Sequence, residues 1–161
     1  MKNLILLFLA IITISCNDND DQPETPTPFM PVTITPTLIS KHNYGVSSAG
    51  ISEQQTIYNE STSWNSFLNQ IESYYLPLNY DYLAQHFSET TIDFTNYTVI
   101  AVFDQVYSNG GHSIDITNIT EYENNIVVSV QNLLPGNVSQ VASQPYHIVK
   151  IPKAKKPIVF Q

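Results

Sequence analysis

The run Tyr97-Thr98-Val99-Ile100-Ala101-Val102-Phe103 is almost without polar residues, and it fixes the kind of core this chain can build. A strand facing water on one side alternates apolar and polar residues, so an unbroken run reads as a central strand covered on both faces. Around it the pattern is more open. Thr56-Ile57-Tyr58 has β character, and His112 to Thr120 alternates through Ile114, Ile116 and Ile119. Ile126 to Val130 returns after a reversal, Tyr146 to Ile151 forms another strand, and Ile158-Val159-Phe160 offers a short last one. One helix is legible. Ser61-Thr62-Ser63 supply cap residues, Trp64, Phe67, Leu68 and Ile71 fall at helical spacing, and Pro77 blocks extension, predicting a helix over 63–75. A short second helix fits within 79–87. The expected fold is α+β, a mostly antiparallel, meander-like sheet of about five to six strands packed against one main helix.

The chain ahead of this domain has another character. Lys2, the apolar stretch Leu4 to Ile12 and the small Ser15 form a signal peptide. Its apolar run falls short of the ~20 residues that span a bilayer. Cys16 follows directly and resembles the acylated cysteine of the bacterial lipoprotein lipobox, with Thr13 standing where leucine is usual. A secretory signal that happens to contain a cysteine is the plainer alternative. Asp18, Asp20 and Asp21 form a solvated leader that resembles the acidic sorting tag of Bacteroidota lipoproteins displayed on the outer membrane. A periplasm-facing anchor is the alternative placement. Pro23, Pro26, Pro28, Pro31 and Pro36, interleaved with threonines, make an extended spacer. The expected organisation is a signal peptide over 1–15, an acidic and Pro/Thr-rich tether over 16–37, and the α+β domain over 38–161.

Charge and residue usage narrow the chemistry. Cys16 is the only cysteine, so the domain has no thiol for a disulfide, a zinc site or a nucleophile. Six lysines and no arginine against fourteen acids give −8, a surface that repels phosphate backbones, so no nucleic-acid partner is expected. Lys150, Lys153, Lys155 and Lys156 cluster late in the chain, as a lysine-blunted strand edge or as a docking patch for an acidic partner. His42, His86, His112 and His147 lie far apart in sequence without the short spacing of a compact metal site, so neither metal nor cofactor is expected. Asp104 or Asp115 could orient a histidine for a serine, yet no Gly-x-Ser-x-Gly elbow is present. Glu53, Glu60, Glu72 and Glu121 read as solvated faces, and Asp93 as a cap or turn before the central strand. No catalytic residue is expected.

Tyrosine is the one class in excess, with ten residues, and Tyr74, Tyr75, Tyr80 and Tyr82 crowd one stretch. Aromatic platforms stack on sugars or anchor protein interfaces; half-buried packing around a helix end is the other reading. Gly110-Gly111 allows a tight reversal with positive φ or a close backbone approach. Tyr74, Tyr75, Tyr80, Tyr82, Gly110 and Gly111 form the candidate interaction surface.

In order, Ile92-Asp93-Phe94-Thr95-Asn96-Tyr97, the run to Phe103, Gly110-Gly111-His112-Ser113-Ile114-Asp115-Ile116, Pro135-Gly136 and Gln144 to Pro152 resemble the C-terminal domain of the protease complex subunit PrcB family. The Trp64 helix is similar to the tryptophan-bearing helix that precedes these blocks, and the resemblance covers about 56–160. The family carries an aromatic where His112 stands. The resemblance implies a non-catalytic surface lipoprotein that accompanies a subtilisin-like protease complex. A glycan- or small-ligand-binding lipoprotein using the tyrosines is the alternative, and an uncharacterised hydrolase is a third. The expected partners are the membrane, through the lipid on Cys16, and a protease-like protein, with a glycan in the alternative reading.

Overall fold

The computed structural model describes residues 28–44 and 46–161; Cys16, Asp18, Asp20 and Asp21 lie outside the described residues. Eight strands run in chain order: β1 (Val32–Thr33), β2 (Thr37–His42), β3 (Gln54–Tyr58), β4 (Tyr97–Phe103), β5 (Asp115–Glu121), β6 (Ile126–Gln131), β7 (Tyr146–Pro152) and β8 (Ile158–Phe160). Two helices, α1 (Ser61–Tyr75) and α2 (Tyr82–His86), fall between β3 and β4. The fold is α+β with one main helix and antiparallel-rich strands, as the sequence implies. The strands divide into two sheets, ordered β2-β7-β4-β3 and β1-β5-β6-β8. The single parallel pairing among them is β6 with β8.

The layers follow from β4. Val99, Ala101 and Phe103 join the cluster beneath α1, while Ile100 and Val102 join Ile114, Ile119 and Val128 of the second sheet. None of these five β4 residues is more than 1% exposed, so the unbroken apolar run is the middle layer of a helix–sheet–sheet stack. Burying each larger side chain contributes roughly 1.5–3 kcal/mol, which makes β4 the centre of stability. Asp93 sets its start. Its carboxylate accepts the Thr95 N–H at 3.0 Å and the Asn96 side-chain amide at 2.7 Å, forming a turn into Tyr97. The Asn96 and Thr95 bonds hold the Asp93 carboxyl below its ordinary pKa.

Residues 32–34, inside the proline-spaced stretch, are drawn into the second sheet: Val32 pairs with Glu121, and the Ile34 N–H donates to the Ile119 carbonyl at 2.8 Å. Pro36, which has no N–H to give a ladder, stands where the chain leaves that sheet for β2 in the other.

Helix α1 buries Trp64, Phe67, Leu68 and Ile71 as the spacing predicts. Its N-cap is Glu60, with no side-chain cap bond, and the Ser63 hydroxyl donates back to the Glu60 carbonyl at 3.2 Å. Beyond Tyr75, Pro77 lies in a single 3-10 turn over Leu76–Leu78, and Asn79 at φ 55° reverses the chain. Asp81 then caps α2, accepting the Ala84 N–H at 2.9 Å. This reversal folds the tyrosine-rich stretch back over the end of α1.

Candidate interaction surface

The reversal at Asn79 and the short α2 gather rings from distant parts of the chain. Tyr75 at the end of α1 stacks on Tyr82 with centroids 4.7 Å apart. Tyr82 and His86, one turn apart on α2, lie 4.3 Å apart, and His86 meets His42 of β2 at the same separation. Tyr80 closes the group, its hydroxyl 2.9 Å from His86 Nε2. With Tyr44 and Leu78 these residues line an open groove of about 530 Å³.

Of the tyrosines singled out from sequence, Tyr75 and Tyr80 are half-buried at the groove and Tyr82 is its floor, only 4% exposed. Burial of that deep ring, then the neighbouring Tyr146, drive the Tyr82 phenol well above its ordinary pKa. Tyr74 is exposed and stands edge-on to Tyr75, outside the groove lining. His86, His42 and Tyr44 complete the site, and sequence spacing held no hint of the last two. The one local signal was the i, i+4 pair Tyr82 and His86, which shares a helix face.

A bulge explains how β2 reaches the groove. The register with β7 shifts between Leu38 and Ser40, and Ile39 and Ser40 are both buried. Ser40 donates to the His86 carbonyl at 2.8 Å, tying β2 to α2 and bringing His42 beside His86.

Gly110 and Gly111 do not form a two-residue hairpin. They sit in a long loop after β4 that pairs with the loop between β6 and β7. The Gly110 N–H donates to the Ser139 carbonyl at 3.0 Å, and the Asn137 N–H to the Gly110 carbonyl at 2.8 Å. Gly111 has φ +79°, and a Cβ there would lie 2.4 Å from the Asn137 side chain, so positive φ and close approach both apply. A Cβ on Gly110 would lie 3.0 Å from the Tyr44 hydroxyl. Tyr44 therefore joins the tyrosine groove to the glycine loop. The two loops expose Val106, Leu133, Leu134, Val138 and Val141. His112 stacks flat on Tyr107, centroids 3.6 Å apart at 7°, doing the packing work of an aromatic ring.

A buried polar cluster lies between the sheets. Lys41 Nζ and the Ser113 hydroxyl both bond Asp115, the latter at 2.6 Å. Burial pushes the Asp115 carboxyl up, but these bonds outweigh it and hold the pKa below the ordinary value. His147 Nδ1 accepts the Ile116 N–H at 3.0 Å. Ser113 thus donates to a carboxylate with no imidazole between them. The Asp104 carboxylate is taken up by the Gln105 N–H, the Tyr107 hydroxyl and the Asn132 amide. Neither aspartate orients a histidine. Among the described residues no three His, Cys, Asp or Glu side chains converge for a metal.

Three of the four late lysines have internal partners. Lys150 pairs with Glu89 at 2.5 Å, Lys156 with Glu121 at 2.7 Å, and Lys153 donates to the Asn59 carbonyl at 2.9 Å.

No curated protein and no solved structure matches the chain. Residues 98–152 match the family model described as PrcB C-terminal. That stretch holds β4 to β7 and both paired loops, with Gly110 and Gly111; the tyrosines of the groove precede it. Through this segment, about a third of the chain, the protein is similar to the PrcB C-terminal family.

Proposed function

We propose that this chain is a non-catalytic accessory subunit that binds, and helps assemble or stabilise, a protease-type partner. A lipid on Cys16 would anchor it to the outer membrane, and the Asp18, Asp20, Asp21 leader with the proline-rich spacer would present it at the cell surface. The PrcB C-terminal match supports the protease-associated part of the reading. The observation that carries it is the aromatic groove, whose Tyr44 reaches the Gly110 loop of the matched segment. Exposed apolar side chains on the two paired loops suit a protein interface, where rigid aromatic anchors supply most of the binding energy.

Crosslinking in intact outer membranes, followed by capture and identification of partners, tests the proposal with Cys16→Ser as the unanchored control. A protease recovered in stoichiometric amount, and lost both in that control and in Tyr44→Ala, is the expected result. Recovery of the chain alone would sink the accessory reading. The stacked rings also favour a second reading, a glycan site, which retention on carbohydrate matrices would reveal and Tyr80→Ala would abolish.

A further inference from the structure

We infer that the aromatic groove is a cage for a cationic side chain, arginine or lysine, carried by the protein partner; the inference rests on the accessory-subunit reading above. The groove offers ring faces and few free polar tips. The Tyr82 hydroxyl donates to the Tyr44 carbonyl at 2.7 Å. The Tyr80 hydroxyl is taken by His86, the Tyr75 hydroxyl by Ser48, and His42 Nδ1 by the Tyr44 N–H at 3.2 Å. A sugar must be read through hydrogen bonds to its hydroxyls, and most of the groups that could read them are already engaged. What remains is ring surface on the less buried members, Tyr44, Tyr75 and Tyr80, and the face of an aromatic ring attracts a cation.

The surrounding charge selects the same ligand. No lysine lines the groove. Lys41, the neighbour of His42 on β2, points to the opposite face and is bound to Asp115. Glu72 and Asp81, close in sequence to Tyr75 and Tyr80, line the next concavity, and the chain as a whole carries −8. Burial, then His42, lower the His86 pKa and favour a neutral imidazole in the cage. Among the described residues this contact already occurs twice. Lys150 sits 4.7 Å over the Tyr97 ring and Lys156 4.3 Å over that of Phe29. Because the groove is open and its Tyr44 abuts the Gly110 loop, a side chain carried on a polypeptide fits it better than a free small cation.

The test is aromatic carbon–proton NMR on the full chain in detergent, titrated with N-acetyl-arginine amide and N-acetyl-lysine amide. N-acetyl-citrulline amide is the neutral isostere and methyl glucoside the sugar probe. The cationic probes should shift the Tyr44, Tyr75 and Tyr80 rings saturably, with citrulline on the order of fivefold weaker. Tyr80→Phe, which keeps the ring face, should retain binding. Tyr80→Leu should weaken it on the order of fivefold, and Tyr44→Leu supplies the same comparison if Tyr80→Leu misfolds. Equal response to citrulline, no response to either cation, or a response to methyl glucoside alone would each overturn the inference. A protease captured from membranes with a silent titration would leave the accessory reading standing and remove only the cage. A responsive cage with no captured partner would do the reverse.

Discussion

His147 Nδ1 accepts the backbone N–H of Ile116, so one imidazole clasps β7 of the first sheet to β5 of the second. The bond needs an unprotonated nitrogen. Burial, then the charge of Lys41, push the His147 pKa down to about 4, against an opposing pull from Asp115. An unfolded histidine titrates near ~6.5.

Between those two values the unfolded chain binds a proton that the folded chain refuses, so stability rises with pH. The contribution is complete above pH ~6.5 and lost as pH falls to about 4. With the ring only part-buried, roughly 1–3 kcal/mol is at stake after solvent screening. Melting temperature should fall between about pH 7 and pH 4.5, and His147→Asn, whose amide oxygen can accept the same N–H, should flatten that slope. Parallel slopes for the two proteins would show that His147 does not carry the effect.

Gly111→Ala should be more harmful than Gly110→Ala. At φ +79° an alanine at 111 is strained, and its Cβ would also collide with Asn137 at 2.4 Å. A cost of about 2 kcal/mol is expected from strain and displacement together. At 110 the nearest groups are the Tyr44 hydroxyl at 3.0 Å and Ser139 Cβ at 3.3 Å, which need give only by tenths of an ångström. Urea unfolding of both variants checks the order. A Gly110→Ala protein less stable than Gly111→Ala would contradict this account of the loop.

What the sequence made legible was local. The covered strand over 97–103, the Trp64 stripe and the stop at Pro77 each rest on neighbours in the chain, and each stands where periodicity put it. The split into two sheets was not legible, because it depends on partners chosen at long range. Val32 and Thr33 form a strand only because Thr120 and Glu121 offer them an edge, and Ile158 to Phe160 lie parallel to β6, a pairing no hairpin signal announces. The site divides in the same way. Tyr75, Tyr80 and Tyr82 were visible as a cluster. His42 and Tyr44 were invisible because a β-bulge, a tertiary feature, swings the end of β2 onto α2.

Trp64 is 1% exposed and its indole N–H donates to the Thr90 carbonyl at 2.7 Å. Its ring lies 5.4 Å from both Tyr58 and Phe67. Trp64→Phe removes the donor, strands a carbonyl and leaves a void, for an expected loss of roughly 2–4 kcal/mol. The denaturation midpoint should drop with an unchanged m-value, and a loss under about 1 kcal/mol would show that the indole is not the anchor of α1.

Beneath the groove, Ser40, Tyr82 and Tyr146 carry three hydroxyl protons for four contacts: Ser40 with the His86 carbonyl, Ser40 with Tyr146, Tyr146 with Tyr82, and Tyr82 with the Tyr44 carbonyl. One contact must always lack a proton. The backbone carbonyls cannot donate, so they claim the Ser40 and Tyr82 protons, and Tyr146 serves only one of its two neighbours at a time. Deleting the most central and most buried hydroxyl should therefore matter least. Tyr146→Phe removes one proton and two contacts, leaving each carbonyl with its donor, at an expected cost under about 0.5 kcal/mol. Tyr82→Phe deprives the Tyr44 carbonyl of its partner and frees the segment that joins groove to loop, at about 1–2 kcal/mol. Thermal unfolding of the two variants decides the matter. The reverse order would mean that the chain of hydroxyls is polarised through Tyr146, and that the groove floor depends on that phenol and not on the carbonyl of Tyr44.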